Sequence, residues 1–165
     1  MQTYLTIVSI LLLMIIAYQD FRYRAVSWLI VVVWGALIAW QSISGSGWEI
    51  WLRESMVNIG FFAVQYGALT LYFSLKERRL VHLADVYIGW GDILFIGIMC
   101  FGFSLPGFVA LYLGGLMVVL FVFLIYRMLF TKASHQIPLA GGLALLLTIV
   151  QIFQPDFKSL ILQFS

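Results

Sequence analysis

The chain has 165 residues, of which 64% are hydrophobic and 10% are charged, and its formal net charge is +2. A soluble globular domain is usually about half apolar and about a quarter charged, so this composition excludes an ordinary soluble domain. It excludes a disordered or nucleic-acid-binding chain more firmly. The apolar stretches are also too continuous for an alternating outer-membrane barrel, which indicates a helical integral membrane protein.

Charges and helix-breaking residues divide the chain into six apolar segments. A bilayer core of about 30 Å requires roughly 20 apolar residues in a helix, so each segment is predicted to span the membrane. A polar loop is expected at 41–54, and Pro106 separates the fourth span from the fifth because proline interrupts a helix. The sequence thus predicts one domain over residues 1–165, an all-α integral membrane protein formed by a bundle of six transmembrane helices. The predicted spans cover residues 4–19, 25–40, 55–75, 86–105, 107–126 and 137–153.

An acidic residue falls inside the fourth span. Residues 93–105 alone would form roughly 20 Å of helix, which is too short to cross the bilayer. We therefore extend this span back to Val86, and the extension places Asp92 inside the membrane, about a turn and a half from the surface. The first span stops directly at Asp20, so the two carboxyl groups are expected at similar depth.

The lysine and arginine residues lie unevenly between the two sides of the predicted bundle. With the six spans numbered alternately, seven of the nine fall on one side. This asymmetry predicts a multi-pass protein of the cell inner (plasma) membrane with both termini on the non-cytoplasmic side, and with Asp20 and Asp92 at the cytoplasmic edge. The seven residues on the cytoplasmic side are Arg22, Arg24, Lys76, Arg78, Arg79, Arg127 and Lys132.

Asp92 follows two glycines, in the order Gly89-Trp90-Gly91-Asp92. A carboxylate within the hydrocarbon costs about 3 kcal/mol or more on insertion scales, and such residues usually face the bundle interior and carry function. Gly89 and Gly91 add little steric bulk, so they are predicted to admit a substrate backbone. The simpler alternative is a glycine-rich helix entry with a first-turn aspartate that the helix dipole favours. The matching depth and side of Asp20 favour the functional interpretation.

Two neighbouring carboxylates suit the chemistry of an aspartic protease. At about 4 Å they repel by roughly 4 kcal/mol at an effective dielectric near 20, so one member keeps its proton near neutral pH while the other ionises. The ionised member takes a proton from water, and the protonated member polarises the scissile carbonyl. Asp20 and Asp92 are therefore the predicted catalytic residues, and neither a metal nor a cofactor is expected.

The other titratable and nucleophilic residues receive simpler interpretations. Glu77 lies among basic residues and is expected to be a surface counter-charge, whereas Asp85 is expected to cap the fourth helix, with an auxiliary role at the active site as the alternative. Cys100 is the lone cysteine, so no disulfide can form within the chain. The remaining polar residues are predicted to be solvated or isolated, without HExxH or GxSxG context: Glu49, Glu54, Asp156, His82, His135 and Ser104.

Three motifs resemble the type IV prepilin peptidase family, the GxGD-type intramembrane aspartic proteases. The resemblance covers essentially the whole chain as the six-helix catalytic core. Its motifs are Asp20-x-Arg22, Gly89-x-Gly91-Asp92, and Ile-Pro-Leu-Ala-Gly-Gly-Leu-Ala at residues 137–144, which looks like the family's Ile-Pro-Phe-Gly-Pro stretch.

The resemblance implies that Asp20 and Asp92 form the catalytic pair. It also implies a protein substrate, a pilin-like precursor that is cut on the cytoplasmic side between a short basic leader and a hydrophobic helix. The products in this family build pili, type II secretion pseudopili or archaeal-type filaments. No cysteine-containing domain precedes the first span, and since that domain accompanies methyltransferase activity in bifunctional members, peptidase activity alone is expected.

The chain departs from the family pattern at two places. Residues 25–27 read Ala-Val-Ser where Ile-Pro-Asn often stands, and Asp92 is followed by Ile93-Leu94 where the family frequently has a lysine two positions on. The presenilin and signal-peptide-peptidase group fits less well, because it has tyrosine and aspartate adjacent, whereas Gln19 separates Tyr18 from Asp20 here.

Two further functions stay open from the sequence. Intramembrane carboxylates are also common in proton- or cation-coupled transporters, and a non-catalytic assembly protein of the same fold would tolerate the departures described above. Beyond a precursor protein, the expected partner is membrane lipid. Nucleic acid is not expected, and a homo-oligomer is left open.

Overall fold

Six α-helices account for most of the chain that the structure describes. The structure is a computed structural model and describes residues 2–79, 88–129 and 137–153. No strand occurs within these ranges, which confirms the predicted all-α class. The helices are α1 (Gln2–Tyr23), α2 (Trp28–Ser46), α3 (Trp48–Glu77), α4 (Trp90–Met99), α5 (Leu105–Leu129) and α6 (Leu139–Phe153).

Four of these helices, α1, α2, α3 and α5, are long and apolar enough to cross a membrane. Helices α4 and α6 are apolar but shorter, with 10 and 15 residues, or about 15 and 22 Å of rise. Large apolar side chains are exposed along the outer faces of the helices, which is unusual for a soluble monomer. These features are consistent with a helical membrane protein.

The prediction of a polar loop at 41–54 is wrong. Helix α2 continues to Ser46 and α3 begins at Trp48, so Gly47, with a φ of 86°, forms the whole interruption. The polar residues of this stretch contact protein as well as solvent. Ser42 is buried, and Trp51 and Glu54 bond to a turn that lies more than 45 residues further along the chain.

Helix α4 begins at Trp90, four residues later than the start expected at Val86. Ile88 and Gly89 are described and are not helical, whereas Val86 lies outside the described residues. The expectation assumed a span of full length, and the structure does not meet it. Asp92 is consequently the third residue of α4, in its first turn, instead of a turn and a half inside a longer helix.

A buried turn joins α4 to α5, and Pro106 is the second residue of α5, so the break expected near this proline is confirmed. One face of α3 satisfies the backbone of the turn. Trp51 Nε1 donates to the carbonyl of Phe101 at 2.8 Å, and Glu54 Oε2 accepts from the N–H of Leu105 at 3.0 Å. Glu54, expected to be solvated, therefore caps α5.

Asn58 completes this contact from the next turn of α3. Its Nδ2 atom donates to the carbonyl oxygens of Cys100 at 3.1 Å and Phe103 at 2.8 Å. Such pairing is required because backbone carbonyls buried in an apolar environment are costly to leave without a donor.

Residues of α1, α2, α4, α5 and α6 form the apolar core, with α1 packed closely against α6. Two glycines allow close packing between α5 and α6: a Cβ on Gly115 would lie 2.5 Å from Leu143 Cδ2, and one on Gly142 would lie 2.5 Å from Val119 Cγ2. The largest fully buried apolar side chains are Trp34, Phe95, Phe108, Leu13, Ile16, Ile38, Met99, Leu143, Leu147 and Val31.

Three helix ends meet at one end of the bundle: the end of α1 and the starts of α4 and α6. The hydrogen bonds of Asp20 and Asp92 to the first turn of α6 show this. The start of α3 and the α4–α5 turn meet elsewhere, where Trp51 reaches Phe101.

Candidate functional site

The two aspartates predicted to be catalytic lie at the same place. Asp20 is in the last turn of α1, and its Oδ2 atom accepts a hydrogen bond of 2.6 Å from the N–H of Gly141. Asp92 is in the first turn of α4, and its Oδ1 atom accepts one of 2.8 Å from the N–H of Ala140. Ala140 and Gly141 are consecutive, so their Cα atoms are about 3.8 Å apart. The structure thus brings both carboxyl groups onto one turn of α6.

The first turn of α6 supplies these donors because the first N–H groups of a helix have no partner within it. The carbonyl of Pro138 accepts the N–H of Gly142 at 3.0 Å, so Pro138 stands at the N-cap position. A proline side chain has no oxygen with which to cap the helix. Carboxylates from two other helices take that role, and the positive end of the helix dipole favours their negative charge.

Gly141 permits the close approach of α1 to α6. A Cβ at this position would lie 2.9 Å from Asp20 Oδ2, 3.0 Å from Asp20 Cβ and 3.3 Å from the carbonyl oxygen of Ala17. Real Cβ atoms essentially never approach a neighbour to less than 3.0 Å. The short hydrogen bond therefore depends on glycine.

Asp92 is also fixed by its own helix start. Its carboxyl group accepts a hydrogen bond from the backbone N–H of Gly89, while the carbonyl of Gly89 accepts the N–H of Asp92 at 3.1 Å and that of Ile93 at 3.2 Å. This is half of a capping box, because the third helical residue bonds back to the N–H of the cap residue while glycine has no side chain with which to return the bond. Two helix starts, those of α4 and α6, thus orient one carboxyl group.

The two glycines predicted to line a substrate backbone have different surroundings. Gly89 is exposed and extended, with φ −64° and ψ 145°, and a Cβ there would lie 3.3 Å from Asp92 Oδ2. Gly91 faces the α1–α2 turn, where its Cβ would make an ordinary 3.5 Å contact with Val26. Gly89 borders the carboxyl pair and Gly91 does not.

The two carboxyl groups differ in exposure and in their charged neighbours. Asp20 is 7% exposed, whereas Asp92 is partly buried, and the two interact electrostatically. The positive charge of Arg24 acts on Asp20 from the left-handed position that ends α1, where the Arg24 N–H bonds to the Asp20 carbonyl at 3.0 Å. Gln19 Oε1 accepts the N–H of Ser27 at 2.9 Å and so ties this turn to α2.

An aromatic pair is buried in the core beyond the first turn of α4. Phe95 lies one turn after Asp92 on α4 and stacks on Trp34 of α2, with ring centroids 5.1 Å apart and an interplanar angle of 6°. Both side chains are fully buried. At the start of the same helix, Gly89 and Trp90 are exposed, and Trp90 is 70% exposed. Helix α4 therefore leads from an open rim beside the carboxyl pair into the buried core.

The sequence analysis missed the two N–H donors of α6. It noted residues 137–144 as a motif of the resemblance, without assigning the N–H groups of Ala140 and Gly141 to the aspartates. Pro138, ahead of a run of small residues, was the available signal, since it predicts an uncapped helix start. Asp85, the auxiliary candidate, lies outside the described residues.

This arrangement can hold two carboxyl groups in fixed orientations next to a solvent-accessible rim. Two carboxyls in electrostatic contact can share a proton, and such a pair can activate water and polarise a carbonyl without further groups. Comparisons with protein-family models, with curated proteins and with solved structures give no match for this chain.

Proposed function

We propose that this protein is an intramembrane aspartic endopeptidase with Asp20 and Asp92 as its catalytic pair. The observation that carries the proposal is the convergence of both carboxyl groups, from separate helices, on the consecutive N–H groups of Ala140 and Gly141. A carboxylate in an apolar bundle is costly, and two at one helix start repel each other. An arrangement that retains both is best explained by a reaction that uses both.

The proposed reaction is hydrolysis of a peptide bond by water. The ionised carboxylate takes a proton from water while the oxygen of that water forms a bond to the scissile carbonyl carbon, and the protonated carboxyl donates its proton to the carbonyl oxygen. The tetrahedral intermediate then breaks at its C–N bond, the departing nitrogen receives the proton held by the first carboxyl, and one hydroxyl of the intermediate returns its proton to the second carboxyl as the new carboxylic acid forms. Each N–H donor from α6 fixes a carboxyl oxygen, so the remaining oxygens can face the substrate.

The proposed substrates are pilin-like precursor proteins, which the motif resemblance implies. A helical substrate would hide its carbonyls in internal hydrogen bonds, so the segment that is cut must be extended at the site. The exposed, extended backbone at Gly89 and the open rim around Trp90 support this mode of access. We propose that the cut occurs at the cytoplasmic face of the plasma membrane, with all six helices embedded and both termini on the other side; the uneven distribution of basic residues supports this orientation.

A coupled transporter is the alternative that the sequence left open. Substrate and ion sites of such proteins typically lie near the bilayer midplane, in broken helices. Asp20 lies in the last turn of α1 and Asp92 in the first turn of α4, so both acids sit at helix ends. This position favours hydrolysis at the membrane edge.

The test is co-expression with a candidate pilin-like precursor, followed by N-terminal sequencing of the product. Asp20→Asn and Asp92→Asn each remove the negative charge but keep the side-chain shape, and each is expected to abolish cleavage while the protein still inserts. Glu49→Gln is the matched control, because Glu49 is an exposed acid in the first turn of α3. Full cleavage by either aspartate variant would rule out the catalytic pair.

A further inference from the structure

A buried polar cluster joins α1, α2 and α6 away from the carboxyl pair. Ser9 Oγ accepts hydrogen bonds from Trp34 Nε1 at 3.0 Å and from Gln151 Nε2 at 3.1 Å. All three residues are buried, and Gln151 is 2% exposed. These polar groups lie in an apolar bundle, where each needs its partner.

The cluster and the carboxyl pair fix α1 against α6 at two points. Ser9 and Asp20 are 11 positions apart on α1, while Gly141 and Gln151 are 10 apart on α6. At 1.5 Å per residue these separations are about 16.5 Å and 15 Å. The two distances match within about one residue rise, so the antiparallel helices are in register at both points.

Both apolar packing and polar bonds act on this register. The face of α1 that packs into the core carries Leu13, Ile16 and Ala17, which fit their neighbours by shape. The polar bonds add a directional requirement, since a slip of one residue along α1 would break both bonds to Ser9. The Oε1 atom of Gln151 is already buried with no partner among the described residues. A buried polar group that fixes helix register is a well-attested use of such residues.

Trp34 also links the cluster to α4. Its ring stacks on Phe95, which lies one turn from Asp92 on α4. The hydrogen bond from the indole N–H to Ser9 therefore fixes a ring that packs against α4.

We propose that Ser9, Trp34 and Gln151 are positioning residues, whose hydrogen-bond cluster sets the register of α1 on α6 and so holds Asp20 opposite the N–H of Gly141. The consequence for catalysis rests on the proposed peptidase function. The consequence for structure does not, and it can be measured separately.

The structural test is residue-specific amide hydrogen exchange by NMR on the full chain in lipid nanodiscs. The N–H groups of Ala140 and Gly141 bond to the aspartates and not within α6, so their exchange reports the aspartate contacts. Ser9→Ala removes the acceptor, and Trp34→Phe removes the indole N–H while keeping an aromatic ring against Phe95. Both variants are expected to raise exchange at Gly141 at least about tenfold.

Two references separate local register from general loosening. The N–H of Phe108, which bonds to the Ser104 carbonyl at 2.8 Å on α5, should keep its wild-type exchange rate. Thr148→Val is the matched control variant, because Thr148 is also a buried hydroxyl but bonds only within its own helix, to Ala144 at 2.9 Å. Unchanged exchange at Gly141 in both Ser9→Ala and Trp34→Phe would overturn the proposal, and so would an equal rise at Phe108.

Cleavage assays add the catalytic consequence. A displaced Asp20 should lower kcat by roughly 10- to 100-fold with little change in KM, because the substrate still binds but the reacting groups are misplaced. Thr148→Val should cleave at the wild-type rate. If the wild-type protein cleaves no precursor while Gly141 exchange still rises, the peptidase proposal fails and the register proposal stands. If cleavage occurs and the variants match wild type in kcat and in exchange, the register proposal fails alone.

Discussion

Asp20 and Gly141 are 121 residues apart in the chain and are joined by a hydrogen bond of 2.6 Å from the glycine N–H to the carboxyl Oδ2. The bond ties the last turn of α1 to the first turn of α6, and it depends on the absence of a side chain at position 141. Because Asp92 bonds to the neighbouring N–H, the same turn of α6 also determines how the two carboxyl groups face each other.

Gly141→Ala should therefore disable the carboxyl pair. The new Cβ would lie 2.9 Å from Asp20 Oδ2 and 3.3 Å from the Ala17 carbonyl, so α1 or Asp20 must move away. Overpacking of this kind costs about 1–3 kcal/mol, and a displacement of about 1 Å at a catalytic group can lower the rate roughly 100-fold. The measurements are precursor cleavage and the thermal midpoint in detergent.

Gly114→Ala is the matched control for that variant. Gly114 lies within α5, and a Cβ there would meet nothing within 4 Å. Replacing glycine by alanine inside a helix is favourable by up to about 1 kcal/mol, so Gly114→Ala should keep cleavage and hold or raise the thermal midpoint. Equal activity in the two variants would show that the space at Gly141 does not matter.

Gly89 and Gly91 should differ although both belong to one motif. A Cβ on Gly89 would lie 3.3 Å from Asp92 Oδ2, whereas one on Gly91 would make an ordinary 3.5 Å contact with Val26. The extended backbone at Gly89 accepts alanine without strain. Gly89→Ala should thus lower cleavage, about tenfold, by shifting the Asp92 carboxyl, and Gly91→Ala should stay within about twofold of wild type. The measurement is the rate of precursor cleavage by each purified variant. A larger loss in Gly91→Ala than in Gly89→Ala would contradict the prediction.

Much of the helical fold could be predicted from hydropathy, because long apolar runs leave few alternatives. The runs around α1, α2, α3 and α5 and the break near Pro106 follow from it. Residues 41–54 could not be predicted in this way. Trp51 and Glu54 of this stretch bond to the α4–α5 turn about 50 residues away, and a polar residue that bonds to a distant backbone looks the same in sequence as one that bonds to water.

The candidate site likewise has features that could be predicted from the sequence and features that could not. The two aspartates could be predicted to meet, because each lies beside a break in an apolar run and the alternation of spans puts both breaks on one side. The N–H donors on α6 could not be predicted, because every residue except proline has a backbone N–H and the sequence does not show which of them bond to the aspartates. The start of α4 was misplaced because a full crossing was assumed, whereas the 10-residue helix begins at Trp90 with Gly89 at its cap position.

Asn58→Leu should destabilise the protein while leaving the carboxyl pair intact. The variant removes the donor to the Cys100 and Phe103 carbonyls, and each buried group left without a partner costs about 1–3 kcal/mol. The free energy of unfolding should fall by a few kcal/mol, read as a lower thermal midpoint, with normal cleavage per folded molecule. Thr70→Val is the control on the same helix, because Thr70 bonds only to the Tyr66 carbonyl of its own helix. If the thermal midpoint falls equally in both variants, the destabilisation comes from α3 itself and not from the lost bonds to the α4–α5 turn.

Glu54 should contribute to stability as a helix cap, in contrast to its exposed neighbour Glu49. Its Oε2 atom accepts the N–H of Leu105 at 3.0 Å, where α5 begins and where the helix dipole favours an acid. Glu54→Ala should lower stability by about 0.5–2 kcal/mol, the usual range for a lost cap. Glu49→Ala, on the exposed first turn of α3, should change it by less than about 0.5 kcal/mol. Denaturant titration of both variants in the same detergent measures the difference, and equal stability of the two would show that α5 is capped by water instead of Glu54.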